Sequence, residues 1–359
     1  MPTDGRNRIN LLGLSLAELT QLVVDWGEPR FRATQIWRWI YHTLTDDPNE
    51  MGNLPVGLRQ RLLEQTYIGH LPVVDRVAES DGLTEKVAFQ ASDGLIIETV
   101  LMRYTNRNTV CVSSQIGCPL GCLFCATGRS GYSRDLTIGE ISAQVLYYSQ
   151  RLREENAHVT NVVFMGMGEP LLNYDAVWQA IGNLNDREGL ALGIRRFTIS
   201  TAGLVPGIER MARAGLEVGL AISLHAPTDA LREKLVPINR RYPLARLMEA
   251  ARLYIERTGR RVTFEYALAD GVNDSDECAR QTADLLQSML CHVNLIPMNP
   301  TPGCDYTPSP RERIMRFQEL LVQGRIQTTV RLSRGGDIQA ACGQLRLRQM
   351  AGPGQGEGA

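Results

Sequence analysis

The chain has 359 residues, 43% of them hydrophobic and 21% charged, with a formal net charge of -1. That length and apolar content suit one large α/β domain with an appendage, or two domains. The near-neutral charge excludes a global field that draws nucleic acid to the whole surface, so any such role needs a local basic patch.

Residues 1–66 read as a small helical domain. Leu16–Val24 is apolar with helical period and follows Ser15, a natural N-cap. Phe31–His42 mixes Arg32 and Arg38 with Trp37, Trp39 and Tyr41. Spacing sends Ile36, Trp37 and Ile40 to a core and leaves the two arginines for phosphates, with aromatics nearby for stacking. Val56–Gln65 forms a third helix after Pro55. Residues 67–104 change character: Val87–Gln90, a turn at Ala91-Ser92-Asp93-Gly94, and Leu95–Met102 read as a β-hairpin extension.

Residues 105–346 alternate. Apolar β-branched runs at Thr109–Ser113, Val159–Met165, Arg196–Ser200, Val218–Leu224, Val262–Leu268, Val293–Pro297 and Thr328–Leu332 are separated by helical segments. These include Thr137–Gln150, Asp175–Leu184, Leu244–Arg257, Asp276–Leu290 and Pro310–Val322. Thr137-x-x-Glu140 is a capping box. Strand–helix alternation implies parallel strands with right-handed crossovers, and the number of units predicts an incomplete α/β barrel of the (β/α)6 kind. The Gly-rich tail, residues 347–359, reads as disordered.

No apolar run reaches the roughly 18 residues of a membrane span. The N-terminus MPTDGRNRIN lacks a signal-peptide pattern. The expectation is a cytoplasmic protein with no membrane partner and reduced thiols. The eight cysteines then point to metal or redox chemistry. Lysine occurs only at Lys86 and Lys234. Genome composition accounts for that bias; arginine chosen for phosphates is the alternative.

The sharpest feature is Cys118-Pro-Leu-Gly-Cys122-Leu-Phe-Cys125, on a loop after the first barrel strand. Three thiolates there can hold three irons of a [4Fe–4S] cluster. The fourth iron is left for S-adenosylmethionine (SAM), whose sulfonium an electron from the cluster can split to a radical. A structural zinc site would want four ligands in two pairs, and no partner pair is evident. Phe124 can cover the cluster. Gly166-Met167-Gly168-Glu169-Pro170 ends the second strand, where Gly168 permits close backbone approach and Glu169 can accept the SAM amino group. Ser200, Ser223-Leu224-His225 and Asn299 follow at later strand ends, the functional face of a barrel.

Several stretches together resemble the RlmN/Cfr family of radical SAM RNA methyltransferases. They are Cys111-Val-Ser-Ser-Gln-Ile-Gly-Cys118, Met165–Pro170, Ser223-Leu-His-Ala-Pro227, Val236-Pro-Ile-Asn239 and Asp337-Ile-Gln-Ala-Ala-Cys342-Gly-Gln-Leu345. The resemblance implies a TIM-like radical SAM barrel that methylates an adenine ring carbon. It implies carbon 2 in 23S rRNA, with some tRNAs as a second candidate substrate. Carbon 8 of the same base is the alternative, and a small-molecule or peptide substrate a more distant one. By the same resemblance Cys342 receives a methyl from one SAM, Cys111 is the second catalytic cysteine and Glu98 the proton acceptor. Gly168, Glu169, Ser200, Ser223, Leu224, His225 and Asn299 correspond to SAM-binding positions. Two SAM per turnover, a transient protein–RNA thioether, a Cys111–Cys342 disulfide, a flavodoxin- or ferredoxin-type electron donor and a monomer complete what it implies. An electron-poor ring carbon has no lone pair with which to attack a SAM methyl, which accounts for the methyl-carrying cysteine. Cys278, Cys291 and Cys304 read as structural, and Arg195-Arg196, Arg240-Arg241 and Arg260-Arg261 as solvated surface.

Overall fold

The computed structural model describes residues 8–301, 303–331 and 335–345. The tail expected to be disordered, 347–359, and the last residue of the final expected strand, Leu332, lie outside the described residues.

The N-terminal part comprises β1 (Ile9–Asn10), α1 (Leu16–Asp25), α2 (Phe31–Trp37), α3 (Val56–Gln65) and β2 (Thr66–Tyr67). Helix α1 opens on a capping box: the Ser15 hydroxyl accepts the Glu18 N–H, and the Glu18 carboxylate accepts the Ser15 N–H. The expected helix 31–42 changes pitch. Beyond Trp37 it continues as a π-helical stretch, Arg38–Thr43, which ends at Leu44 in the left-handed region. Ile36, Trp37 and Ile40 are buried, as the spacing requires, and Tyr41, one of the aromatics expected to be available for stacking, is buried as well.

Next come β3 (Val73–Ala78), β4 (Thr84–Gln90), β5 (Ile96–Tyr104) and β6 (Arg107–Cys111). β4 and β5 are the expected hairpin. β3 was not anticipated: its six residues are all exposed, so no alternation of apolar and polar residues marks it. The remaining strands are β7 (Gln115–Gly117), β8 (Tyr132–Asp135), β9 (Asn161–Phe164), β10 (Phe197–Thr201), β11 (Gly219–Ser223), β12 (Val262–Leu268), β13 (Cys291–Pro297) and β14 (Thr328–Val330). Between them lie α4 (Ala126–Arg129), α5 (Ile138–Glu154), α6 (Tyr174–Asn185), α7 (Val205–Ala214), α8 (Asp229–Leu235), α9 (Leu244–Thr258), α10 (Asp276–Leu286) and α11 (Arg311–Gln323).

Ten strands form one sheet in the order β14-β13-β12-β11-β10-β9-β6-β5-β4-β3. From β6 to β14 neighbours run parallel, and from β6 to β3 antiparallel. Among the described residues β14 pairs only with β13, so the barrel stays open. The hairpin therefore continues the barrel sheet, and β6 is where its sense changes. One core runs from the N-terminal helices through the helix–sheet interface, joining Trp37, Tyr148, Phe197, Phe264 and Phe317.

Candidate active site

The C-terminal ends of β9–β13 and the loop after β7 surround a cavity of about 1000 Å³, measured out to its open mouth. Cys118, Cys122 and Cys125 line it, and so do Gly168, Glu169, Ser200, Ser223, His225, Asn299 and Cys342. These residues come from six separate chain segments; all but Cys342, which sits on a loop beyond β14, lie at strand ends or in the loop after β7. Leu224 is different. Its side chain belongs to the main core, and its N–H donates to the Glu265 carbonyl.

The cysteine loop is held from below. β7 and β8 pair antiparallel, and the Cys118 N–H donates to the Gly131 carbonyl at 2.8 Å. Gly117 (φ 78°) lies so close to that carbonyl that no Cβ fits. Cys125 is the N-cap residue of α4, and its N–H donates to the Cys122 carbonyl at 3.2 Å. Burial, with mutual repulsion behind it, opposes three bare thiolates: Cys118 is pushed up to about 12, and Cys122 and Cys125 also rise. A group that brings positive charge to three sulfurs resolves that conflict, so the donor set fits an iron–sulfur cluster. Among the described residues no three His, Cys, Asp or Glu side chains form a group able to hold a single metal ion. Cluster ligands take separate irons and need no such convergence.

Glu169 is fixed on both sides. Its Oε2 accepts the Ala202 N–H at 2.8 Å and its Oε1 the Leu171 N–H at 3.1 Å. Burial raises its carboxyl to about 7. Gly168 has φ 101°, and a Cβ there would lie 2.5 Å from that of Gln115. Gln115 in turn accepts the Glu169 N–H. His225 also has positive φ, 58°. Its Nδ1 accepts the Ala267 N–H, leaving the proton on Nε2. Burial, then Arg232, lowers its pKa to about 3, so the ring is a neutral donor. Phe124 packs edge-on against it with centroids 4.7 Å apart.

A buried guanidinium ties this cradle together. Arg232 donates to the carbonyls of Ala202 (2.7 Å), Ser223 (2.8 Å) and Leu224 (3.0 Å) and to Asn239 Oδ1 (2.9 Å). Burial lowers its pKa to about 10. Sequence reading missed it, because one arginine among many on a short helix carries no signal.

A second cavity adjoins the first. Val100, Met102, Val163 and Leu345 line it with Cys111 and Cys342. Cys342, Asn299 and Arg331 line both cavities. The Asn299 amide donates to the Cys342 carbonyl at 3.0 Å. All eight cysteines are free thiols, Cys111 buried and Cys342 exposed. Burial, then the neighbouring Cys342, raises Cys111 to about 12. Glu98 is wholly buried on β5, where the sequence alone reads a solvated charge. Lys86 lies 3.3 Å from its carboxylate.

Cys278, Cys291 and Cys304 line neither cavity. Arg38 is paired with Glu188 on the barrel side, and Arg32 donates to Gln35 and the Asn53 carbonyl.

The model of the radical SAM superfamily matches residues 112–283, and that of the ribosomal RNA large subunit methyltransferase N-terminal domain matches residues 9–68. A protein of Chloroflexus aurantiacus named as a probable dual-specificity RNA methyltransferase RlmN is 49% identical over 94% of this chain and 93% of its own length. A protein of the same name from Geobacillus kaustophilus is 47% identical over 95% of this chain and 93% of its own length. The crystal structure of a radical SAM methyltransferase from Sphaerobacter thermophilus superposes with a TM-score of 0.92 at 51% identity, covering 95% of this chain and 99% of that one. Membership of the radical SAM family implies a [4Fe–4S] cluster and SAM, for which the three thiols and the cavity beside them are suited. No helix among the described residues is long and apolar enough to cross a membrane. The chain belongs to the RlmN family of radical SAM RNA methyltransferases.

Proposed function

We propose that the chain methylates carbon 2 of adenine in 23S rRNA and in tRNA, with two SAM per methyl transferred and the methyl carried on Cys342. The observation that carries this reading is that Cys342 lies on the wall shared by two cavities, one with the cluster thiols and one with Cys111. A methyl carrier has to meet SAM on one side and the base on the other.

Glu169 accepts the SAM amino group, and Gly168, Ser200, Ser223, His225, Asn299 and the main chain at Leu224 complete its cradle. The Cys342 thiolate takes a methyl from the first SAM by displacement. Cys118, Cys122 and Cys125 would hold the cluster, which would supply the one electron for cleavage of a second SAM; the S-methyl group on Cys342 is then the source of the hydrogen that the SAM-derived radical takes. The carbon then joins the adenine ring, and Cys342 tethers the protein to RNA. Glu98 accepts the ring proton. The ring radical also gives up one electron, returned to the donor that supplied it; the Cys111 thiolate then attacks the Cys342 sulfur, the bond from that sulfur to the new carbon breaks, the carbon takes up a proton to become the methyl group, and a reductant reopens the disulfide left behind.

The base has to leave its stack to reach this depth, at a cost of a few kcal/mol. Residues 1–66 supply backbone contacts that offset it. Arg32 stacks 4.8 Å above Phe31, which is 55% exposed, a platform suited to single-stranded RNA. The protein works in the cytoplasm as a monomer, with electrons from a flavodoxin- or ferredoxin-type donor.

Nucleotide-resolution mass spectrometry of RNA from strains with and without the gene tests the reading. 2-Methyladenosine in 23S rRNA and tRNA that vanishes on deletion is expected. An 8-methyladenosine signal alone would overturn the choice of carbon.

A further inference from the structure

Lys86 is one of only two lysines in the chain. It is 4% exposed at the side chain, and its Nζ lies 3.3 Å from Glu98 Oε1. The same nitrogen donates to the Gln339 carbonyl at 2.9 Å, three residues before Cys342 in the chain. A buried ion pair is poor evidence of stabilisation, since apolar residues of similar volume often do as well or better. Its presence beside a site calls for a reason in that site.

Strand register supplies one. Lys86 on β4 pairs with Val100 on β5, and Val100 pairs with Cys111 on β6. Residues paired across a sheet share a face, so Lys86 and Cys111 point the same way, about 10 Å apart at two strand spacings. Glu98 is two residues from Val100 and shares that face. The loop bearing Cys342 passes over it, with Gln339 at a φ of 52° that a non-glycine residue holds only when its surroundings fix it.

We infer that Lys86 is a positioning residue: its ammonium binds the Glu98 carboxylate and the Cys342 loop at once, so that proton acceptor and methyl-carrying sulfur address the same adenine carbon. This rests on the roles proposed above for Glu98 and Cys342. The first methylation, of Cys342 itself, needs neither Glu98 nor the alignment.

The test uses holoenzyme with its cluster, SAM and an RNA substrate, and three readouts. These are methyl on Cys342 by mass spectrometry, methylated RNA, and covalent protein–RNA adduct on a denaturing gel. In Lys86→Met, Cys342 methylation stays within about twofold of the native protein. RNA product falls about 100-fold, the low end of what a positioned base contributes, and adduct accumulates. Lys86→Arg restores most of the product. Glu98→Gln is the control for the underlying reading. If Glu98→Gln accumulates adduct while Lys86→Met turns over normally, the inference about Lys86 fails alone. If Glu98→Gln accumulates none, the proton-acceptor reading fails and the inference with it. Loss of Cys342 methylation in step with product in both Lys86 variants would make Lys86 a fold element and also overturn the inference.

Discussion

The cavity beside Cys118, Cys122 and Cys125 takes its metal-binding side chains from one loop, within eight residues of chain. The cavity beside Cys111 is assembled from β5, β6, β9 and β13 together with a loop more than two hundred residues further on. The first gathers polar strand ends and fixed carboxylate oxygens beside three thiols; the second sets two thiols among valines, methionines and leucine, with Tyr104, Asn299 and Arg331 also on its wall. The contrast separates two tasks. Holding a cluster and SAM needs ligands at set spacing and rigid hydrogen-bond partners. Carrying a one-carbon group to a base needs two thiols that share one chamber.

Substitutions can break the comparison from either side. The largest effect belongs to the cluster loop. Cys118→Ala removes one of three iron ligands, and RNA methylation is expected to fall to background with loss of the cluster's visible absorption. Retained absorption and turnover would mean that the loop is not the metal-binding element.

Arg232→Leu comes next. It leaves the carbonyls of Ala202, Ser223 and Leu224 without their buried donor. At about 1–3 kcal/mol per unsatisfied group, a loss of roughly 3 kcal/mol or more is expected in urea denaturation of the apoprotein. SAM binding by calorimetry should weaken by about tenfold, which is 1.4 kcal/mol, because Arg232 holds the main chain at Ala202, Ser223 and Leu224. An unchanged denaturation midpoint would show that Arg232 does not brace the cradle.

The smallest effect is on pH. Burial holds Glu169 near 7, above its ordinary range, so below that pH it is protonated and cannot accept an ammonium group. SAM affinity should fall by about tenfold per pH unit below 7, and Glu169→Gln should flatten the profile. In the apoprotein the same shift has the opposite sign. The folded state binds the proton more tightly than the unfolded chain, so this group adds stability as pH falls from about 7 toward the usual carboxylate range. A flat SAM profile in the native protein would remove Glu169 from that role.

Much of this architecture was legible in the sequence. β-Branched runs marked all seven parallel strands, and the Ser15 N-cap and the Thr137 capping box marked the starts of α1 and α5, because those elements bury one face against a core. β3 was not legible, since an exposed edge strand need not alternate. The three cluster cysteines stood out because local spacing encodes a local task. Glu98, Cys111 and Cys342 were visible only through family resemblance: sheet register and loop return bring the two cysteines to one cavity, and Glu98, buried on the strand beside it, lines neither cavity. Lys86 left a compositional trace in its rarity, which by itself said nothing of its partner. Arg232 left none, because what matters about it is burial.

The central claim is that Cys342 carries the carbon and Cys111 releases it. The most direct measurement is denaturing gel electrophoresis, with nuclease mapping, of Cys111→Ala protein made in cells with intact RNA. The account predicts a covalent protein–RNA adduct joined through Cys342 to an adenine carbon, with free methylated RNA near background. Uncrosslinked protein together with normal methylated RNA would contradict it.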